Sequence, residues 1–76
     1  MHGVSVDLEE AVEKAKEFLS KAGYPISKLL SAKLENDVWI MRFDVGILEK
    51  EIMTIKVDDR TGKVVGFEGP EQIVKK

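Results

Sequence analysis

The spacing of apolar residues along this chain changes once, at Gly23, and that change limits the possible folds more than any other feature. Before Gly23, apolar residues recur every three or four positions, which is the period of one helix face: Leu8, Ala11, Val12, Ala15, Phe18, Leu19 and Ala22. Asp7 is a suitable N-cap with Glu10 three residues later, and Gly23 and Pro25 are stop signals. These signals predict an amphipathic helix over about residues 8–22.

After Gly23 the apolar period becomes two, which is typical of β-strands. The alternating segments are residues 28–35, 38–45, 51–58 and 63–68. Asn36-Asp37 suits a two-residue hairpin turn, Gly62 suits a left-handed position in the turn at residues 58–62, and Gly69-Pro70 is expected to end the last strand. Short connections between successive strands predict an antiparallel meander.

The predicted fold class is therefore α+β: one N-terminal amphipathic helix packed on a four-stranded antiparallel meander sheet. At 76 residues the chain has the length of a single domain, over residues 1–76. A chain this short hides only about 60% of its unfolded surface, so its core is thin and each large apolar residue matters.

The two faces of the predicted sheet differ. One should pack on the helix through Trp39, Met41, Phe43, Ile55, Val57, Val65 and Phe67. The other is less polar than a fully solvated face would be. Its apolar residues and one threonine form a candidate interaction face: Val38, Ile40, Ile52, Thr54 and Val64. Exposed apolar patches mark interfaces, but strands also favour valine and isoleucine when half exposed, and the sequence leaves both interpretations open.

The composition excludes several classes of function. The formal net charge is -2, from 12 basic and 14 acidic residues, so no broad attraction to nucleic acid is expected. The absence of cysteine excludes disulfides, thiolate metal sites and a cysteine nucleophile. No apolar stretch approaches about 18 residues, so no membrane span is expected. The first residues lack an export signal, which favours a cytoplasmic location for the chain as written, and an extracytoplasmic one if it has been trimmed.

Residues that could carry chemistry do not converge in the sequence. His2 is the only histidine and has no partners at metal-ligand spacing. Residues 58–62, Asp-Asp-Arg-Thr-Gly, lack the alternating ligands of a calcium loop, so we interpret them as a turn whose Asp side chains satisfy backbone amides. Trp39 alternates in phase with Met41 and Phe43, which favours a core position over an interface hot spot. We expect no catalytic residue, no metal and no cofactor.

Three segments resemble the PepSY-type domain family. They are residues 7–15 (DLEEAVEKA), an acidic, alanine-spaced helix opening; residues 38–43 (VWIMRF), a Trp-bearing strand; and residues 57–64 (VDDRTGKV), a strand–turn–strand ending. The resemblance covers roughly residues 7–67. It implies a helix packed on an antiparallel sheet. Members of the family occur in the propeptides of thermolysin-type metalloproteases and in small secreted or membrane-attached proteins. The role that the resemblance implies is an inhibitory or chaperone-like contact with a peptidase. It implies no catalytic residues.

The sequence thus leads to three hypotheses. The first is a non-enzymatic interaction module that binds a protein partner, or itself, through the second sheet face or an edge strand. The second is a PepSY-like inhibitor or regulator of a peptidase, which rests on the resemblance. The third is a small ligand- or metal-binding protein, which has the least support because no site chemistry converges.

Overall fold

The computed structural model of the chain describes residues 6–72. The predicted helix is confirmed as α1, Leu8–Lys21, with Ala22 as its C-cap. The Asp7 carboxylate accepts a hydrogen bond of 2.8 Å from the backbone N–H of Glu10, and so satisfies one of the donors that a helix leaves unpaired at its start. The chain leaves α1 through Gly23, whose φ of 102° lies in the left-handed region that glycine adopts without strain.

Four strands follow the helix: β1 (Lys28–Glu35), β2 (Val38–Asp44), β3 (Glu51–Asp58) and β4 (Val64–Gln72). They form one antiparallel sheet in the order β1-β2-β3-β4, which confirms the predicted meander and fold class. Asn36 and Asp37 have φ values of 50° and 64°, as a type I′ hairpin turn requires. Strands β1 and β4 are the two edges of the sheet.

Strand β4 is longer than the sequence predicted. The expectation that Gly69-Pro70 ends the strand is wrong, because β4 continues to Gln72, which pairs with Glu51. Proline lacks a backbone N–H and is excluded from central strands, but an edge strand is paired on one side only and can hold it. A register shift in the pairing with β3 lies beside this dipeptide, and such irregularities also accommodate proline.

A second register shift, near the start of β4, reverses two predicted orientations. Val64 pairs with Val57 and Gly66 pairs with Lys56, so Val65 is the extra residue of a bulge. Directly opposed residues share a face, and Val64 therefore lies on the helix side, where it packs against the core. Val65 is 59% exposed. The predictions that Val64 lies on the far face and that Val65 points inward are wrong, because a bulge breaks the strict alternation on which they depended.

The core lies between α1 and the sheet. α1 packs on β2, β3 and β4, and buries Ala11, Ala15 and Leu19 there. The sheet contributes Met41, Phe43, Met53, Ile55 and Val57, and Val45, which directly follows β2, also belongs to the core. At one border of the core, the rings of Phe18 and Phe67 meet with their centroids 5.2 Å apart. Within the described residues, no helix is long and apolar enough to span a membrane.

Candidate functional site

The five residues predicted to form an interaction face do not make one exposed patch. Val38, Ile40 and Thr54 lie on the side of the sheet opposite α1, and each is half-buried. Ile52 lies on the same side but is only 6% exposed. Val64, as described above, lies on the helix side of the sheet.

Charged side chains occupy much of the remaining far face. Lys33 Nζ lies 3.7 Å from Glu35 Oε2 on β1, and Lys56 Nζ lies 4.0 Å from Glu68 Oε2 across β3 and β4. Arg42 is exposed between them on β2. Valine and isoleucine that are half-buried among long polar side chains are ordinary for a strand surface. Among the residues that the structure describes, this face therefore offers no continuous apolar patch.

An uncovered apolar surface lies on the helix side of β1. Leu29, Ala32 and Leu34 pair with residues of β2 that face the helix, and so share their face. Because α1 packs on the other three strands, Leu29 remains 37% exposed and Leu34 49% exposed, while Ala32 is half-buried. These three residues are termed the edge strip.

The edge strip is uncovered because one helix is too narrow for four strands. A helix with its side chains is about 10–12 Å wide. Four strand axes about 4.8 Å apart span about 14 Å, and the outer side chains reach further. α1 makes its most extensive contacts with β3 and none of comparable extent with β1. The helix side of β1 therefore stays open to solvent.

The backbone of β1 is paired along one side only. In a type I′ turn the carbonyl of the first residue accepts the N–H of the fourth, so Glu35 and Val38 form a hydrogen-bonded pair. Hydrogen-bonded and non-hydrogen-bonded pairs alternate along an antiparallel ladder, so Lys33 is the next residue of β1 that bonds to β2. Ala32 and Leu34 therefore direct their N–H and C=O groups to the open edge. In the described part of the chain, no hydrogen bond outside the ladders reaches the β1 backbone.

The opposite edge of the sheet is less suited to pairing. β4 carries two register shifts, two glycines and Pro70, and bulges and prolines are features that protect sheet edges. β1 has one shift, between Leu29 and Ser31, which leaves residues 31–35 as a regular open edge.

Trp39 connects the edge strip to the core. Its ring is half-buried and packs against the core, as the sequence predicted. The indole Nε1 donates hydrogen bonds of 3.0 Å to the carbonyl of Val6 and 3.1 Å to Oδ1 of Asp59. These two acceptors fix the orientation of the ring. Leu34, the cross-strand neighbour of Trp39, therefore lies beside an aromatic ring that is held by two hydrogen bonds.

The polar cluster at residues 58–62 is the predicted turn. Asp58 Oδ2 accepts hydrogen bonds from the backbone N–H of Thr61 at 3.0 Å and from its hydroxyl at 2.9 Å. Gly62 has a φ of 76°, in the left-handed region. Asp59 instead points inward to Trp39 and is 7% exposed. Among the described residues, no three His, Cys, Asp or Glu side chains are grouped to hold a metal ion.

A second apolar surface lies at the end of the sheet where β2 leads to β3. An open cavity of about 450 Å³ separates the segment after α1 from the connection at residues 46–50. Ile47 and Leu48 in its wall are 78% and 96% exposed. The connection is held by Asp44, whose Oδ1 accepts from the backbone N–H groups of Gly46 at 3.0 Å and Glu51 at 3.2 Å. Ile47 and Leu48 lie outside the strands, whereas the edge strip lies on the open edge of β1.

Compared with models of protein families, with curated proteins and with solved structures, the chain shows no significant match. The PepSY-type resemblance of the three sequence segments therefore stays a prediction.

Proposed function

We propose that this domain binds an extended segment of a protein chain, which joins the sheet as an additional strand beside β1. The observation that carries this proposal is the presence of two features on one strand. The backbone groups of Ala32 and Leu34 point to an open edge, and the edge strip leaves aliphatic side chains uncovered next to them. In strand addition, main-chain hydrogen bonds supply affinity and alternate side chains supply specificity.

The geometry also defines the chemistry of the expected partner. On the helix side, its residues would extend the edge strip and contact Leu29 and Leu34, so aliphatic side chains fit there. On the far side, its residues would lie near the exposed Lys28, Ser31, Lys33 and Glu35, so polar or charged side chains fit there, acidic ones beside the lysines and a basic one beside Glu35. A segment that alternates aliphatic with polar or charged residues is therefore the best match.

The proposed role is binding rather than catalysis. The edge strip offers aliphatic contact and main-chain hydrogen bonds, and neither of these transfers a proton or an electron pair. A peptidase regulator of the PepSY kind would be one special case of such a binding module. No contact in the described residues favours a peptidase over another partner.

The substitution Ala32→Pro tests the proposal, because it removes the N–H that points to the open edge and leaves the bonds to β2 in place. Peptides of alternating pattern would be selected from a random library on the wild-type chain. We expect the selected peptides to bind Ala32→Pro at least about tenfold more weakly, a loss equivalent to one or two hydrogen bonds. NMR shift changes in the wild type should centre on residues 31–35.

Val65→Ser is the matched control, since Val65 is an exposed aliphatic residue on the opposite edge. It should bind the peptides as tightly as the wild type. Leu34→Ser provides a second test of the strip in case proline disturbs the fold. Equal peptide affinity in the wild type, Ala32→Pro and Leu34→Ser would overturn the proposal, as would a library from which no alternating peptide is enriched.

A further inference from the structure

We propose that the strand which pairs with β1 is β1 of a second copy of this chain, in a symmetric dimer with Leu34 of one copy opposite Leu34 of the other. The inference rests on the proposed function and names its partner. Two antiparallel β1 strands related by a twofold axis would join two four-stranded sheets into one continuous sheet.

The directions of the backbone N–H and C=O groups of β1 permit this arrangement. In an antiparallel pair, hydrogen-bonded positions must face hydrogen-bonded positions. Leu34 directs both its N–H and its C=O to the open edge, because the type I′ turn determines which residues of β1 are bonded to β2. With the twofold axis at Leu34, the N–H of each copy donates to the C=O of the other.

The charge pattern of β1 selects this register over its neighbours. On the far side of the sheet, Lys33 of each copy would lie directly opposite Glu35 of the other, so the axis produces two attractive pairs. Lys33 and Glu35 are already 3.7 Å apart within one copy, so the four charges would form one network. Opposite charges across strands stabilise a pairing, and like charges weaken it.

Two alternative registers, with the axis at another residue of β1, are less favourable. An axis at Lys33 would place the two Lys33 ammonium groups against each other. An axis at Ala32 would place Lys33 opposite Ser31 and bring Leu34 opposite the irregular segment around Leu30. Of these three axes, the one at Leu34 alone pairs unlike charges on one side of the sheet and leucine with leucine on the other.

The dimer would also enlarge the apolar surface on the helix side. The two edge strips would become neighbours, with Leu34 of each copy at the centre and the Trp39 rings close behind. Such a pairing covers few residues and falls below the about 1,200 Å² of a standard interface, so the association should be weak. Measurement should therefore extend to about 1 mM chain.

Charge reversal gives a direct test by sedimentation equilibrium. Lys33→Glu gives each copy two acidic residues at these positions, and Glu35→Lys gives each copy two basic residues. Each single variant should raise the dimer Kd at least about tenfold. An equal mixture of the two should form a heterodimer, and the double variant Lys33→Glu/Glu35→Lys should recover the wild-type Kd. The side chains are 65% and 56% exposed, so both variants should remain folded.

Lys56→Glu reverses a charge on the same face, away from β1, and should leave the dimer Kd unchanged. A wild-type chain that stays monomeric at about 1 mM would overturn the dimer, while peptide binding at β1 would still be judged by its own measurement. The register would be overturned if neither charge reversal changed the dimer Kd. It would also be overturned if the two single variants formed no heterodimer in the mixture. Persistence of the dimer in Leu34→Pro, which removes the N–H at the axis and leaves the bonds to β2 in place, would exclude β1 as its interface.

Discussion

The indole Nε1 of Trp39 donates a hydrogen bond of 3.1 Å to the carboxylate of Asp59, which follows it by 20 residues in the chain. Trp39 lies beside the open strand β1, and Asp59 lies in the turn before β4. Val6 joins the same node, since its N–H donates to the Asp59 carbonyl at 2.7 Å and its own carbonyl accepts from Trp39. These hydrogen bonds attach the segment before α1 to the sheet, and they hold the Trp39 ring that borders the edge strip.

The Trp39–Asp59 bond should contribute measurably to stability. Asp59→Ala removes the carboxylate acceptor of a half-buried donor, and we expect a loss of about 1–3 kcal/mol in the free energy of unfolding. Trp39→Phe keeps part of the ring but leaves the acceptors at Asp59 and Val6 without their donor, and should cost a similar amount. Urea unfolding of both variants measures these losses.

A double-mutant cycle separates the bond from the rest of each side chain. If the bond matters, the double variant should lose about 1 kcal/mol less than the two single variants together. Losses that simply add would show that Trp39 and Asp59 act independently, and that packing alone holds the ring.

Asp44 should make the connection between β2 and β3 sensitive to acid. Hydrogen bonds from the backbone N–H groups of Gly46 and then Glu51 lower the pKa of Asp44 below its ordinary value of 3.8. Since the pKa is lowered in the folded state, ionised Asp44 stabilises the fold above pH 3.8, and this contribution is lost as the pH falls through the lowered pKa.

The stability difference between the wild type and Asp44→Asn should therefore be constant near neutral pH and shrink below about pH 4. Urea unfolding at a series of pH values measures the difference, and NMR titration of the side-chain carboxyl gives the pKa itself. A titration midpoint at or above the ordinary value for Asp44 would contradict this account.

Gly46 should be intolerant of any side chain. A Cβ at this position would collide with the backbone oxygen of Glu49, so even alanine forces the connection at residues 46–50 to rearrange. We expect Gly46→Ala to lower the free energy of unfolding by about 2–4 kcal/mol. Gly66→Ala is the control, because a Cβ there meets only Lys56 Cδ at 3.7 Å. It should stabilise the chain by up to about 1 kcal/mol. Equal effects of the two substitutions in urea unfolding would contradict the close approach at Gly46.

The elements of this fold could be predicted from local signals in the sequence. The period of α1, its cap at Asp7, the turn at Asn36-Asp37 and the meander each depend on residues close together in the chain. The two bulges of β4 could not be predicted, because a one-residue insertion in a ladder depends on the partner strand β3. The error over Val64 follows directly from the bulge at Val65.

The edge strip could have been anticipated from the sequence by a geometric argument. One predicted helix and four predicted strands leave part of one sheet face uncovered, and the first strand in a meander is at an edge. Alternation alone did not show this, because Leu34 fits a buried pattern as well as an exposed one. Leu29 was harder to place, since the shift between Leu29 and Ser31 interrupts the alternation within β1.

The bulge at the start of β4 can be tested by comparing Val64→Asp with Val65→Asp. Val64 is half-buried against the core on the helix side, so a carboxylate there would be partly desolvated and would replace an aliphatic contact with the core. We expect Val64→Asp to cost about 2–3 kcal/mol of unfolding free energy. Val65→Asp should change it by no more than about 0.5 kcal/mol, since Val65 is 59% exposed. Unbroken alternation would give the opposite order, because Val65 would then face the helix together with Phe67. The order of the two losses in urea unfolding therefore decides which of the two valines faces α1.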